Sequence, residues 1–158
     1  MKVLITGAAG FIGSQLLEAL AVQHPEWTLI ASDIRPLNPQ ALRPNVEAAL
    51  LDIGKREAVL AAVAQHQPDA IVHLASVVTP PPGMGEDVLH TIDVEGTRSI
   101  LQAAVEHGVR QLIVTSSGAA YGYYPENAEW IDEHDPLRGH SKFAYAKHKR
   151  EVEEMLAA

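Results

Sequence analysis

Thr6-Gly7-Ala8-Ala9-Gly10-Phe11-Ile12-Gly13 is the stretch whose reading decides the fold. A compact apolar run, Val3–Thr6, leads into it, and apolar residues at Phe11, Ile12, Leu16, Leu17 and Leu20 carry helical spacing away from it to about Gln23. The three glycines have separate uses at such a strand-to-helix junction. Gly7 permits a tight turn off the strand, Gly10 lets backbone come close to a ligand, and Gly13 lets the helix pack close to the sheet. Free N–H groups at the helix start, with the helix dipole behind them, favour an anion such as a pyrophosphate. Asp33 stands 20 positions after Gly13 and closes the next apolar run, Leu29-Ile30-Ala31-Ser32-Asp33. A carboxylate there accepts hydrogen bonds from ribose hydroxyls and repels a 2′-phosphate, so the pattern predicts a dinucleotide site that prefers NAD to NADP. Arg35 is the opposing signal, because a guanidinium can bind that phosphate. The predicted cofactor contacts are Gly7, Ala9, Gly10, Phe11, Ile12 and Gly13 in the loop, then Asp33, Ile34 and Arg35.

Outward from the loop, short apolar runs alternate with longer amphipathic stretches. Thr28–Ser32 and Ala48–Asp52 read as the second and third strands, Lys55–Gln65 as a helix stopped by Pro68, and Ala70–Leu74 as the fourth strand. Pro36, Pro39 and Pro44 predict a loop between Ser32 and Glu47, and Pro80-Pro81-Pro82-Gly83 enforces another. Val88–His107 reads as one long helix closed by Gly108 as a left-handed C-cap, and Gln111–Ser116 as the fifth strand. A loop from Gly118 to about Gly139 precedes a last helix, Ser141–Leu156. Strands separated by helices imply a parallel sheet covered on both faces, and right-handed crossovers make it a doubly wound α/β Rossmann fold over residues 1–158.

Composition narrows the partners. The formal charge of −8 argues against a nucleic-acid backbone, whose binding runs on clustered Lys and Arg. No apolar run approaches the ~20 residues that span a bilayer, and the glycine turn arrives too early for a secretory h-region. No membrane partner is expected, and a cytoplasmic location is the default. Cysteine is absent, which excludes disulfides and thiolate metal sites, and the eight histidines lack the H-x-x-x-H spacing that brings two onto one helical turn. No metal site is expected.

Several further segments resemble the extended short-chain dehydrogenase/reductase family, which holds NAD-dependent sugar-nucleotide epimerases and dehydratases. Asp52-Ile53 resembles its adenine-contacting Asp-hydrophobic pair, and His73-Leu74-Ala75-Ser76 its H-L-A-A segment beside the cofactor. The resemblance therefore adds Asp52, Ile53, Leu74, Ala75 and Ser76 to the cofactor site. On local chemistry alone, Asp52 also reads as a turn or capping carboxylate, and His73 as a strand-end histidine. Asp93-Val94-Glu95-Gly96-Thr97 resembles the family's N-V-x-G-T, with Asp93 in place of the usual Asn. Thr115-Ser116-Ser117-Gly118-Ala119-Ala120-Tyr121-Gly122 resembles S-S-S-x-x-x-Y-G, and registering on Tyr121-Gly122 puts Ser117 at the family's catalytic serine. The alternative is that Ser116 and Ser117 satisfy backbone groups in a turn.

Tyr145 is the only tyrosine with a lysine four positions later, Lys149, and that spacing sets both on one helical face. A phenol with a pKa near ~10 is a poor base at neutral pH unless nearby positive charge stabilises the phenolate. The resemblance makes Tyr145 the acid–base residue, Lys149 its tuner and the holder of the nicotinamide ribose, and Ser117 the hydrogen-bond donor to the reacting oxygen. It thus places Tyr145 and Lys149 in the cofactor site as well. Glu153 matches an acidic position of the family, and His148 stands where Ser or Thr is common.

The reaction implied is hydride transfer with NAD on a sugar nucleotide or a sugar-like hydroxyl or carbonyl. Gly118-Ala119 lack the acidic pair of the 4,6-dehydratases, which disfavours that reaction. Gly122-Tyr123-Tyr124-Pro125 resembles a segment of uronate dehydrogenases, so a sugar-acid dehydrogenase is one alternative, although the tyrosines can also simply pack the loop. A non-catalytic NAD-binding module, or an inactive fragment, is the other. The family usually continues past the Tyr-Lys helix into a small substrate domain. This sequence stops at Ala158, so a truncation lacking that domain is expected, with the fifth strand left as an edge. A homodimer through helices 88–107 and 141–156 is also implied.

Overall fold

The computed structural model describes residues 1–38, 40 and 42–158. Pro39, part of the expected proline-rich loop, lies outside the described residues. The chain gathers into two compact units, one of Met1–Ser76 with Ser99–Thr115 and one of Val77–Arg98 with Ser116–Ala158.

The first unit is built on a parallel sheet in the order β3-β2-β1-β4-β5. Its strands are β1 (Lys2–Thr6), β2 (Thr28–Asp33), β3 (Val46–Leu50), β4 (Ala70–His73) and β5 (Gln111–Val114). β1 lies at the centre, and Val3, Leu4 and Ile5 are sealed from solvent on both faces. The chain leaves β1 towards β2 on one side and returns through β4 on the other. The carboxyl end of β1 is therefore the switch point where open α/β sheets bind ligands. Helix α1 (Phe11–Gln23) sends Leu17 and Ala21 into the core formed by Val3, Ile5, Leu29, Ala31 and Val72. Helix α2 (Arg56–His66) buries Val59 and Val63.

The second unit is helical and loop-rich. It contains α3 (Glu86–His90), a π-helical turn (Thr91–Glu95), the start of α4 (Gly96–Glu106), a 3₁₀ turn (Gly118–Tyr121) and α5 (Ala144–Leu156). No described helix is long and apolar enough to cross a membrane.

Doubly wound parallel topology is observed as expected, with differences in detail. The third strand runs over Val46–Leu50 rather than 48–52, because β2 ends at Asp33 and its partner there is Leu50. As an outer strand, β3 also exposes Glu47, Ala48 and Leu50, so it is not buried on both faces. The long helix expected over 88–107 begins at Glu86 and is interrupted at Thr91–Glu95, where the Gly96 N–H donates to the Thr91 carbonyl. Thr97 Oγ1 donates to the Asp93 carbonyl at 2.6 Å, and the Asp93 carboxylate is turned inward onto the Val77 N–H. α5 starts at Ala144, three residues later than expected, because Phe143 is extended (φ −127°, ψ 97°). Gly108 does close α4 in the left-handed region, with φ +65°. β5 is the outer strand on its side and pairs with β4.

Candidate active site

Gly7 has φ +69°, and a Cβ there would lie 2.8 Å from the Ala75 nitrogen. The loop thus passes directly against the backbone leaving β4. A Cβ on Gly13 would lie 2.1 Å from the Gly7 carbonyl oxygen, so α1 is drawn tightly against the turn. The first turn of α1 carries no acidic residue, and Gly10 caps it without a side chain. That leaves the helix start open to an anion. Phe11 and Ile12 are exposed on the solvent side of this start.

Asp33 is buried, and its Oδ2 accepts the Ala9 N–H at 3.0 Å. Its Oδ1 accepts the Arg35 backbone N–H at 2.9 Å and the Arg35 Nε at 3.3 Å. The acidic residue therefore braces the glycine loop, and Arg35 is already engaged with it. Ile34 is exposed beside them. Asp52 is half-buried, and its Oδ1 accepts the Gly54 N–H at 3.0 Å in the turn before α2, with Lys55 Nζ 3.7 Å from Oδ2. Ile53 is buried in the core.

Thr6 was not singled out by sequence reasoning, yet its hydroxyl ties β1 to the end of β4. Its Oγ1 accepts the N–H groups of Leu74 at 3.2 Å and Ala75 at 3.3 Å, and lies 2.7 Å from His73 Nδ1. With two donors already on the oxygen, the hydroxyl proton goes to Nδ1, which assigns the Nε2–H tautomer to His73. His73 is thereby hydrogen-bonded at the end of β4. Ser76 ends this unit and is half-buried.

The second unit carries the hydroxyls and the lysine. Ser117 caps the 3₁₀ turn, and its Oγ accepts the Ala119 N–H at 3.2 Å. That turn packs against α5. On α5, Lys149 is buried with its Nζ 5.6 Å from the centre of the Tyr145 ring, while Tyr145 is half-buried. Burial lowers the Lys149 pKa from its ordinary value, and the carboxylates of Asp93 and Glu153 pull it back up. Burial, with the acidic side chains of Glu133, Glu153, Asp132 and Asp135, pushes the Tyr121 phenol up.

An open groove of about 670 Å³ lies along the loop after Ser117, lined by Ser117, Ala119, Tyr123, Tyr124, Asn127 and Ile131 among others. Tyr124 is a packing residue: its hydroxyl donates to the Gly139 carbonyl at 3.0 Å, and its ring lies under the Arg138 guanidinium. Tyr123 is exposed at the groove. Asn127 and Ile131 line the groove although nothing in the sequence marks them apart from other loop residues.

The family model for the NAD dependent epimerase/dehydratase family matches residues 3–158. The chain belongs to that family. Among curated relatives of this extended short-chain dehydrogenase/reductase group, it is 35% identical over 146 residues to a uronate dehydrogenase of Pseudomonas putida. That match covers 92% of this chain and 51% of the relative. It is 32% identical over 130 residues to a dTDP-L-rhamnose 4-epimerase of Burkholderia thailandensis, covering 77% of this chain and 36% of that one. Among solved structures, the uronate dehydrogenase of Agrobacterium tumefaciens superposes with a TM-score of 0.80 at 31% identity, over 98% of this chain and 53% of the other. The enzyme WbmH of Bordetella bronchiseptica, crystallised with NAD+, superposes with a TM-score of 0.82 at 25% identity, over 99% and 51%. The chain thus spans about half the length of these family members or less.

Proposed function

We propose that this chain supplies the NAD site and the catalytic residues of an oxidoreductase or epimerase acting on a sugar or sugar nucleotide. The observation that carries the reading is the buried Lys149 ammonium under the Tyr145 ring, on the helix against which the Ser117 turn packs. A buried lysine is costly to maintain, and such groups gather where chemistry needs them.

The residues of the first unit fit NAD. Gly7 and Gly13 let the loop and α1 close onto backbone that a Cβ would strike, and Gly10, with Ala9, Phe11 and Ile12, would present a helix start free of carboxylates to the pyrophosphate. Asp33, buried and negative, would take the ribose hydroxyls and disfavour a 2′-phosphate, and Arg35 is committed to Asp33. Asp52, Ile53 and Leu74 to Ser76 complete the proposed cofactor contacts. When bound, NAD supplies the hydride acceptor. Tyr145 would exchange the proton of the substrate hydroxyl, with the phenolate favoured by the Lys149 ammonium. Ser117 accepts the Ala119 N–H, which leaves its own O–H to donate to the substrate oxygen.

Within this reading, the identity to uronate dehydrogenases and the Tyr123-Tyr124-Pro125 segment favour a sugar-acid dehydrogenase as the second possibility to test. Proton NMR of the sugar product separates the outcomes: an oxidised sugar with stoichiometric reduced cofactor, or an inverted centre with none accumulating. A homodimer through the outward faces of α4 and α5 belongs to the same proposal, to be checked by sedimentation. Replacing Tyr145 by Phe is expected to lower turnover by about 10²-fold or more while sparing cofactor affinity. Near-normal turnover in that variant would overturn the assignment.

A further inference from the structure

Two positions at which this sequence departs from its family's pattern, Asp93 and His148, face each other in the interior of the second unit. His148 Nδ1 lies 3.8 Å from Asp93 Oδ2, and the two side chains are 1% and 2% exposed. That separation is about an ångström longer than a charge-assisted hydrogen bond. Neither ring nitrogen of His148 has a hydrogen-bond partner among the described residues. A fully buried imidazole with both nitrogens unbonded is a costly arrangement. Asp93 Oδ1 is held by the Val77 N–H at 3.0 Å, so the carboxylate is fixed with Oδ2 turned to the imidazole. The next residue after His148 is Lys149, itself buried.

We propose that Asp93 and His148 act as one titrating couple that positions the charge of Lys149. While His148 is neutral, the Asp93 carboxylate supports the buried ammonium. Protonation of His148 closes an ion pair with Asp93 and withdraws that support. The consequence for Tyr145 rests on the reading of Tyr145 and Lys149 given above. The couple itself does not.

The other charged and titratable groups around His148 are accounted for. His90 of α3 meets it edge-on, with ring centres 5.3 Å apart, and His90 Nε2 is 2.9 Å from Glu151 Oε2. Lys147 Nζ is 3.0 Å from Glu86 Oε1. These two partnered sets leave Asp93 as the carboxylate that His148 meets directly. Burial lowers the His148 pKa, opposed chiefly by Asp93, while His90 and Lys147 lower it further and Glu151 raises it.

The test is a heteronuclear NMR titration of the full chain labelled at histidine and lysine, with no turnover involved. In the unaltered protein, the Lys149 Cε resonance is expected to step at the pH where His148 protonates. In Asp93→Asn, whose amide oxygen still accepts the Val77 N–H, the His148 pKa is expected to fall by about one unit, tenfold in proton affinity. In His148→Leu, the step at Lys149 is expected to vanish. An unmoved Lys149 resonance through the His148 titration, or a His148 that stays neutral until the protein unfolds, would overturn the proposal. Those two readouts come from the unaltered protein, so they decide even if both variants fail to fold. Loss of the catalytic role of Tyr145 would show instead in turnover of Tyr145→Phe, with this titration intact.

Discussion

Replacing Gly13 by Ala isolates the contact that draws α1 tightly against the glycine loop. Inside a helix this change normally stabilises by about 1 kcal/mol, because alanine loses less backbone entropy. Here the new Cβ would stand 2.1 Å from the Gly7 oxygen, 2.8 Å from the Ala8 Cα and 2.9 Å from the Gly7 carbonyl carbon. The first distance is 1.3 Å short of ordinary contact at 3.4 Å, and all three atoms are backbone. No side chain can rotate away, so α1 must move off β1 or the loop must open. Overpacking of this kind costs about 3 kcal/mol at the upper end of its usual range, which exceeds the propensity gain. The net expectation is a loss of about 2 kcal/mol, roughly thirtyfold in the folding equilibrium, read by urea denaturation. NAD affinity, read by calorimetry on the same sample, should fall by about tenfold or more, since Gly10 and the helix start move with Gly13. Gly118→Ala is the control: nothing lies within 4 Å of its Cβ, so its stability should hold or rise by up to about 1 kcal/mol. A Gly13→Ala protein as stable as the original, with unchanged NAD affinity, would refute the close-packing account of the loop.

Thr6→Val keeps the shape of the side chain and removes the oxygen that serves Leu74, Ala75 and His73. The Ala75 N–H loses its acceptor and His73 Nδ1 its donor, while Leu74 keeps the Thr6 carbonyl at 3.3 Å, so a destabilisation of about 1–3 kcal/mol is expected in the same denaturation assay. Asp33→Ala unfastens the Ala9 N–H and removes the charge facing a 2′-phosphate, so NAD should bind more weakly while the preference over NADP shrinks, as competition calorimetry would report. A histidine whose folded pKa lies below its unfolded value takes up its proton more readily when unfolded. The stability His148 confers is therefore complete above about pH 6.5 and is lost as pH falls from there through its lowered folded pKa. Thermal midpoints measured across that window should fall with acid, and His148→Leu should flatten the slope.

Period and punctuation made the fold legible. The buried run Val3–Thr6, the glycine turn and the amphipathic helix after it fix β1 and α1, and the alternation beyond them gives the parallel sheet. What escaped was set by neighbours in space rather than along the chain. The limits of β3 follow from where β2 ends, which no local pattern at Ala48–Asp52 records. The π turn carries an inward Asp93 carboxylate that accepts the Val77 N–H from an earlier loop, a pairing no local pattern at 88–107 records. Of the candidate site, the tight turn at Gly7, the close packing at Gly13 and the nearness of Lys149 to the Tyr145 ring could be read from spacing and chemistry. The hold of Asp33 on Ala9, the hub at Thr6 and the Asp93–His148 couple could not, because each joins segments whose approach exists only after folding.

The reading of this chain as the cofactor and acid–base part of a sugar-directed enzyme is tested most directly by reduced-nicotinamide fluorescence. The protein would be mixed with NAD and a panel of aldoses, uronic acids and nucleotide sugars, beside its Tyr145→Phe variant. Both an epimerase and a dehydrogenase pass through reduced cofactor, so the signal does not depend on which one it is. The expected result is a substrate-dependent rise in the original protein and none in the variant, with NAD bound equally well by both. Equal reduction in the variant, or bound NAD that none of these sugars reduces in the original protein, would contradict it.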